Sequence, residues 1–204
     1  MIGIINYGLG NIKAFANIYN KLGIPFIVAS EAVHLQDVSK IILPGVGAFD
    51  HAMTLLEKSG MRNALNDLAL KRGLPVLGIC VGMQILANSS DEGSLPGLGW
   101  IDGVVKKFDP SKLTSTTHLP HMGWNNIRPV KEKGLLKGID TESRYYFLHS
   151  YYFQCNKEEN TLAVTDYGGQ FTSAVSSGNI FGVQFHPEKS HQWGIQLLKN
   201  FSEM

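Results

Sequence analysis

The sequence predicts an α/β fold in which an open, doubly wound, mostly parallel sheet carries antiparallel strands added in the second half of the chain. Two observations carry this prediction. In the first half, short apolar runs alternate with helical patterns in the order βαβαβα, which is typical of a parallel sheet covered by helices. From Leu98 to Gly182, short β-type runs follow one another with turns between them and no clear helical pattern.

The first half begins with a buried strand, Ile2 to Ile5, which ends in a turn rich in glycine. A helix over about residues 11–22 follows, and Gly23 is well placed to end it because glycine readily adopts the left-handed C-cap conformation. One or two helices fill residues 49–72 with a break at Gly60, and a last helix of this half runs to about Ala87. The other strands of this half are predicted at 25–28, 41–43 and 74–77.

The second half contains six β-type runs, at 100–108, 123–127, 145–153, 162–166, 171–176 and 180–185. We interpret them as antiparallel strands because no crossover helix separates them. An amphipathic helix closes the chain, with its apolar side at Trp193, Ile195, Leu197, Leu198 and Phe201. No repeat, low-complexity tract or linker divides the sequence, so residues 1–204 are expected to form a single domain.

Composition argues against several classes of protein. The net charge of +1 gives no electrostatic reason to bind nucleic acid or a membrane surface. The two cysteines, Cys80 and Cys155, have a spacing that fits neither a disulfide scaffold nor a zinc site, which favours a reducing compartment. The N-terminus lacks a signal-peptide pattern, and no apolar run approaches the length of a membrane span. We therefore expect a cytoplasmic protein without a metal or a cofactor.

The most informative stretch is Gly78-Ile79-Cys80-Val81-Gly82, between an apolar strand and a helical pattern. Glycines on both sides of a cysteine are typical of a nucleophile elbow, a tight strand-to-helix turn that holds a reactive side chain above the sheet edge. A Cβ at either glycine would clash with the neighbouring strand and helix. The free N–H groups of a helix N-terminus would favour the thiolate. A buried structural cysteine in a plain βα turn is the alternative.

Partners for Cys80 are predicted in Phe185-His186-Pro187-Glu188, at the end of the last strand. Residues i and i+2 of an extended segment project to the same side, so Glu188 can reach the region of His186. A carboxylate beside an imidazole fixes its tautomer and stabilises the imidazolium that forms when a thiol gives up its proton. These residues predict a Cys80–His186–Glu188 catalytic triad. The alternative is a solvent-facing turn in which Glu188 is only an N-terminal helix charge.

Acyl transfer also needs hydrogen-bond donors for the oxyanion of the intermediate. The N–H of Val81, directly after the cysteine, is one candidate. The loop Pro44-Gly45-Val46-Gly47 ends a neighbouring strand, and Val46 or Gly47 can expose an N–H there without obstruction by side chains. A plain βα turn is the alternative for this loop.

Together these residues resemble the triad-type (class I) glutamine amidotransferases, and the pairing of Gly78-x-Cys80-x-Gly82-x-Gln84 with Phe185-His186-Pro187-Glu188 is highly specific for them. Within that class, the sequence is most similar to the glutaminase subunits of imidazole glycerol phosphate synthases, and the resemblance implies their flavodoxin-like class I glutaminase fold. Asn6 stands where the family usually has Asp, a departure that affects only a local hydrogen bond. The other shared segments are Tyr7-Gly8-x-Gly10-Asn11, Leu43-Pro44-Gly45-Val46-Gly47-Ala48-Phe49, His121-Met122-Gly123-Trp124-Asn125 and Tyr146-Phe147-Leu148-His149-Ser150-Tyr151.

The resemblance implies that Cys80 attacks the side-chain amide of glutamine and forms a glutamyl thioester as ammonia leaves. Water activated by His186 then releases glutamate. By the same resemblance Gln84 contacts the bound glutamine and Glu92 reads its α-amino group. The alternative to these implied roles is that Gln84 is an exposed helix residue and Glu92 lies in a solvated loop. The resemblance further implies that the pocket is lined by main-chain groups of His149, Ser150 and Tyr151, which are otherwise ordinary strand residues.

A partner subunit is also implied. The family places His121 to Asn125 against the synthase, close to the point where ammonia leaves. Ammonia is readily protonated in bulk water, so we expect a water-poor conduit into a synthase/cyclase subunit that forms a heterodimer with this chain. The sequence shows no second domain for an acceptor. The candidate docking and ammonia-exit residues are Trp124, Asn125, Tyr145 and Tyr146.

The isolated chain is expected to have low glutaminase activity, because the glycine loop would present its donors only when the partner and its ligand bind. Three other interpretations stay open at this point. A paralogous glutaminase could supply ammonia to a sugar amidotransferase in surface-polysaccharide synthesis. A thioester-forming peptidase or a non-catalytic binding module could use a similar sheet.

Overall fold

The computed structural model describes residues 1–113, 117–131 and 134–204. Its strands, in chain order, are β1 (Ile2–Ile5), β2 (Phe26–Ala29), β3 (Lys40–Gly45), β4 (Val76–Cys80), β5 (Ser89–Ser90), β6 (Gly103–Lys107), β7 (His121–Asn126), β8 (Arg128–Pro129), β9 (Arg144–His149), β10 (Tyr151–Cys155), β11 (Thr161–Asp166), β12 (Gln170–Ser177) and β13 (Ile180–Val183). Its α-helices are α1 (Ile12–Leu22), α2 (Phe49–Lys58), α3 (Arg62–Asn66), α4 (Val81–Gln84) and α5 (His191–Glu203).

Five parallel strands form the centre of the fold, in the order β2-β1-β3-β4-β13. Counted along the chain this is the order 2-1-3-4-5 of a flavodoxin-like doubly wound sheet, in which ligands bind beyond the carboxyl ends of the strands. All residues of β1, β4 and β13 are buried, which explains why these strands read as continuous apolar runs. The predicted fold class is confirmed.

Antiparallel strands extend this sheet and add a ribbon beside it. β12 pairs antiparallel with β13 and leads through β10 to β6, while β11 pairs with β12 and β8. β7 and β9 form a separate antiparallel pair. A bridge between Tyr146 of β9 and His186 joins this ribbon to the end of the parallel sheet. The ribbon thus lies next to the region where the sequence predicts catalytic residues.

The last strand corrects one part of the prediction. The run at 180–185 was expected to be antiparallel, but β13 lies parallel to β4, with Val183 opposite Ile79. A hairpin from β12, rather than a crossover helix, delivers it to the centre of the sheet. The absence of a helix before residues 180–185 therefore does not show that this strand is antiparallel to its neighbours. β5 and β6 are also parallel, and the run at 145–153 is two strands that meet at Ser150.

The helix after Cys80 is shorter than predicted. It ends at Gln84, not near Ala87. The carbonyl groups after Gln84 accept hydrogen bonds from a later loop instead of from a next helical turn. The N–H of Leu98 donates to Ile85 O at 2.8 Å, and the N–H of Gly99 donates to Ala87 O at 3.0 Å. The one-turn helix limits any stabilisation of a thiolate by a helix dipole to the N–H groups of that turn.

The other helices form where the sequence pattern predicts them, but Ile195, expected on the apolar side of α5, is 38% exposed. α1 ends at Gly23 with φ of 65°, the left-handed cap that glycine permits. The predicted break at Gly60 is present, at φ of 69°, and α3 continues as a π-helical turn over Asp67–Lys71. Between residues 98 and 182, the described part of the chain contains short 3₁₀ turns but no α-helix. None of the helices among the described residues is both long and apolar enough to span a membrane.

Candidate active site

Cys80 occupies a strained turn between β4 and α4. Its φ of 55° and ψ of −114° lie outside the usual regions for a residue with a side chain, which costs about 1 to 3 kcal/mol. The two glycines permit this turn: a Cβ on Gly78 would lie 2.9 Å from Met83 Cα, and one on Gly82 would collide with the main-chain oxygen of Leu43. The close approach of α4 to β3 and β4 confirms the predicted nucleophile elbow.

His186 and Glu188 form a buried pair beside this elbow. His186 Nδ1 lies 2.9 Å from Glu188 Oε1, and the side chains are 3% and 2% exposed. The solvent-facing alternative is therefore wrong. The main-chain N–H of His186 donates to Tyr146 O at 2.8 Å, which ties the backbone of His186 to the β7–β9 ribbon. The segment after His186 is a 3₁₀ turn, Pro187–Lys189, rather than the extended backbone that was expected.

The surroundings of His186 favour its protonated form. Burial lowers the pKa of His186, but hydrogen bonding and charge interaction with the sulfur of Cys80, as a thiolate, and with the Glu188 carboxylate outweigh burial and raise the pKa to about 10. Because Nδ1 faces the carboxylate, Nε2 is the nitrogen left for the thiol. An imidazolium held between a carboxylate and a sulfur can stabilise a thiolate and later deliver a proton.

A cavity of about 340 Å³ opens above Cys80 and His186 at the carboxyl ends of β3 and β4. Ten of the residues predicted for the site line it, while Glu188 lies behind His186. Pro120 and Leu148 also line the cavity and were not predicted. The predicted residues in its wall are Val46, Gly47, Cys80, Val81, Gln84, Glu92, His149, Ser150, Tyr151 and His186.

Gln84 is a buried residue, not the exposed helix residue of the alternative interpretation. It is 3% exposed. Its Nε2 donates to Tyr151 O at 3.1 Å and to Gln184 Oε1 at 3.0 Å. Gln84 therefore links the elbow helix to the strands that form the far wall of the cavity.

Glu92 is fixed to the loop that follows β3. Its Oε2 accepts a hydrogen bond from the N–H of Phe49, at the start of α2, at 2.8 Å. In return, Asp50 accepts from the N–H groups of Ser94 and Leu95 at 2.9 and 3.0 Å. These reciprocal bonds hold Glu92 at the cavity beside Val46 and Gly47.

Gln184 is a site residue that the sequence analysis missed. It is fully buried, and its Nε2 donates to Cys80 Sγ at 3.8 Å. A glutamine within the apolar run from Ile180 to Phe185 was the available signal, because a polar side chain in a buried strand requires hydrogen-bond partners.

The proposed docking residues lie outside this cavity, and one must be removed from the group. Tyr145 is fully buried and cannot form part of a docking surface. Trp124 is 39% exposed. Its ring stacks on His191 at 5.1 Å and meets Tyr146 edge-on at 6.1 Å. Asn125 is held in place through Nδ2, which donates to Asp166 O at 3.0 Å.

Fold and site together define the class of α/β enzymes in which a cysteine on a nucleophile elbow is paired with a histidine and a carboxylate. The family follows from sequence comparison. The chain belongs to the family described as "Glutamine amidotransferase class-I", whose sequence model matches residues 4–204.

Curated relatives match over their full length. The chain is 57% identical over 204 residues to the imidazole glycerol phosphate synthase subunit HisH of Bdellovibrio bacteriovorus, covering 100% of each protein. It is 49% identical over 204 residues to the subunit of the same name from Leptospira interrogans, again covering 100% of each. Among solved structures, a glutamine amidotransferase at 17% identity has a TM-score of 0.76, with 100% of this chain and 99% of that chain covered. At that identity the structural match supports the fold alone.

Proposed function

We propose that this chain is the glutaminase subunit of an imidazole glycerol phosphate synthase in histidine biosynthesis. It hydrolyses glutamine to glutamate and ammonia as a single domain, 1–204, and passes the ammonia to a synthase/cyclase subunit with which it forms a cytoplasmic heterodimer. The names of its full-length relatives support the pathway. The observation that carries the chemistry is the buried pair of His186 and Glu188, whose imidazole lines the same cavity as Cys80.

The first half of the reaction forms a thioester. The Cys80 thiolate attacks the side-chain carbonyl carbon of glutamine, and the C–N bond breaks as the nitrogen leaves with a proton from His186 Nε2. Glu188 keeps the imidazole in the Nδ1–H tautomer and stabilises its charge. The N–H groups of Val81 and of Val46 or Gly47 donate to the oxyanion of the intermediate.

The second half releases glutamate. His186, now neutral, takes a proton from water as the oxygen adds to the thioester carbon. The C–S bond then breaks, glutamate leaves, and the thiolate and imidazolium are restored. Gln84, Glu92 and the main chain of 149–151 hold the glutamine through both steps, since all of them line the cavity.

The ammonia leaves towards the partner beside the exposed ring of Trp124, with Tyr146 at the same face of the ribbon and Asn125 at the opposite face of β7. These residues lie on β7 and β9, and Tyr146 is bridged directly to His186. A partner docked there would lie against the strand that is bridged to the catalytic histidine.

The test separates glutamine hydrolysis from synthesis. The Cys80→Ala variant, mixed with the synthase partner, should lose glutamine hydrolysis and glutamine-dependent synthesis but retain synthesis from added ammonium salts. Cys155→Ser is the matched control, because Cys155 lies on β10, outside the cavity, and it should retain both activities. Wild-type hydrolysis by Cys80→Ala would refute the mechanism. Stable co-purification with a sugar amidotransferase, without synthesis of imidazole glycerol phosphate, would instead refute the pathway.

A further inference from the structure

Two buried imidazoles face each other inside the β7–β9 ribbon, and the proposed reaction uses neither ring. His121 and His149 are opposite residues of the two strands. His121 Nδ1 lies 3.0 Å from His149 Nε2, and the residues are 2% and 6% exposed. Because each neutral imidazole has one donor and one acceptor nitrogen, the hydrogen-bond partners at the two ends of the pair determine both tautomers.

The end of the pair nearest the cavity fixes His149. Its Nδ1 lies 2.8 Å from the main-chain oxygen of Tyr151. A carbonyl oxygen only accepts, so Nδ1 of His149 must carry the hydrogen. Nε2 of His149 is then an acceptor when the ring is neutral, and it requires a donor from His121.

The hydrogen bonds at the Asn125 end of the pair independently indicate the same tautomers. Asn125 Oδ1 accepts from the N–H of Asn126 at 2.8 Å, and Nδ2 donates to Asp166 O at 3.0 Å, so the orientation of this amide is unambiguous. Its Nδ2 lies 3.3 Å from His121 Nε2, which must therefore accept. His121 then carries its hydrogen on Nδ1, as His149 requires.

Both rings are neutral in this arrangement. A proton on either acceptor nitrogen would set two N–H groups against each other. Burial acts in the same direction, since it lowers the pKa of His121 to about 4 and that of His149 to about 3. The hydrogen bonds therefore run in one direction, from Asn125 through His121 and His149 to the Tyr151 carbonyl.

Tyr151, which provides that carbonyl, is the first residue of β10 and lines the cavity. The carbonyl also accepts a hydrogen bond from Gln84 Nε2 at 3.1 Å, so both of its lone pairs are used. We propose that His121 is a positioning residue for glutamine: its Nδ1–H donates to Nε2 of His149 and holds that ring where its own Nδ1–H bonds the Tyr151 carbonyl, so that His149 in turn holds the main chain of 149–151 where it lines the substrate pocket. This inference rests on the proposed glutaminase function.

Packing alone does not require histidine at position 121. Its ring stacks on Tyr167 at 3.8 Å and on Phe147 at 4.7 Å. A phenylalanine could make the same stacking contacts but would give His149 no hydrogen bond. His121→Phe therefore removes the donor and preserves the aromatic packing.

The test uses the full chain with Cys80→Ala, so that glutamine binds without being hydrolysed. Long-range 1H–15N spectra of the imidazoles report tautomers, and an NMR titration gives the dissociation constant of L-glutamine. In this parent, His149 should be the Nδ1–H tautomer. Adding His121→Phe should shift the 15N resonance of His149 Nε2, which loses its hydrogen-bond donor, and raise the glutamine dissociation constant about fivefold or more. His149→Phe should weaken binding similarly, and the double substitution should be no worse than His149→Phe alone.

Phe171→Leu is the packing control, because Phe171 meets both imidazoles, at 5.8 and 5.2 Å, without lining the cavity. It should leave the tautomer and the dissociation constant unchanged. An Nε2–H His149 in the parent overturns the inference without any substitution at 121, so the test survives if His121→Phe does not fold. Unchanged binding by folded His121→Phe, or additive losses in the double variant, also overturn it. A parent that binds no glutamine would instead refute the proposed function.

Discussion

The side-chain nitrogen of Gln184 donates a hydrogen bond to Sγ of Cys80 at 3.8 Å. Gln184 is fully buried, and its oxygen accepts a hydrogen bond from Gln84 at 3.0 Å. This fixes the orientation of the amide, because Oε1 faces a donor and Nε2 faces the sulfur. A donor held against sulfur stabilises the thiolate more than the thiol. Gln184 thus complements His186 on a second side of the nucleophile.

The Gln184→Met variant tests this contact, since methionine has a similar volume but no N–H donor. We expect alkylation of Cys80 by iodoacetamide at pH 7, and kcat/KM for glutamine, to fall by about fivefold, which corresponds to about 1 kcal/mol for one hydrogen bond. Ser173→Ala is the control: Ser173 pairs with Gln184 in the sheet, and its hydroxyl has no partner among the described residues. Equal alkylation rates for Gln184→Met and the wild type would show that the contact is inert.

The Glu188→Gln variant should lose activity while keeping substrate binding. An amide can donate to His186 Nδ1, which would place the imidazole in the wrong tautomer to take a proton from the thiol. We expect kcat for glutamine hydrolysis to fall by about 100-fold or more, with KM within about threefold. Glu57→Gln, which removes only a surface ion pair with Arg62, should have wild-type kinetics. Near-normal kcat in Glu188→Gln would exclude the carboxylate from the mechanism.

The Gly82→Ala variant should destabilise the protein as well as inactivate it. The new Cβ would collide with the carbonyl oxygen of Leu43 and lie 3.2 Å from the carbonyl carbon of Pro44. Because these contacts are with main-chain atoms, β3 and the loop Pro44-Gly45-Val46-Gly47 must move, at a cost of about 2 to 4 kcal/mol. Urea denaturation measures this loss. Gly134→Ala, whose Cβ would meet, among the described residues, only Cγ of the Met204 side chain at 3.5 Å, should unfold at nearly the wild-type urea concentration.

Local sequence features predicted those parts of the fold and site that depend on local chemistry. The left-handed cap at Gly23 and the elbow around Cys80 each need glycine at a defined position, so the sequence contains the signal. The pairing partner of β13 depends on the whole sheet, and no pattern within residues 180–185 distinguishes a parallel from an antiparallel neighbour.

Side-chain networks were harder to predict than the triad. His186 and Glu188 are two residues apart, so their contact is nearly local. Gln84 and Gln184 are separated by 100 residues, and His121 meets His149 only because β7 and β9 pair in that register. Tyr145 and Tyr146 look alike in sequence, but strand alternation places the first in the core and the second beside the exposed Trp124.

The buried histidine pair also determines how stability should change with pH. Burial lowers the pKa of His121 to about 4 and of His149 to about 3 from the ordinary value of 6.5. Between pH 6.5 and 4 the unfolded chain therefore binds protons that the native chain does not, and stability falls as the pH falls. His186 acts in the opposite sense: its raised pKa gives stability that is fully present below pH 6.5 and is lost as the pH rises towards about 10.

We expect the pair to account for roughly 3 to 4 kcal/mol of the stability lost between pH 7 and pH 5. Urea denaturation of the full chain at pH 5, 6 and 7 measures the total loss, to which carboxylates also contribute. In the double variant His121→Phe, His149→Phe that carboxylate contribution remains but the histidine contribution is gone, so the loss should be smaller by this amount. Phe171→Leu should lower stability about equally at each pH, because it disturbs packing around both rings and removes no titrating group. If the double variant and the wild type lose stability in parallel as the pH falls, the two imidazoles are not held neutral in the native ribbon, and the direction assigned to their hydrogen bonds is wrong.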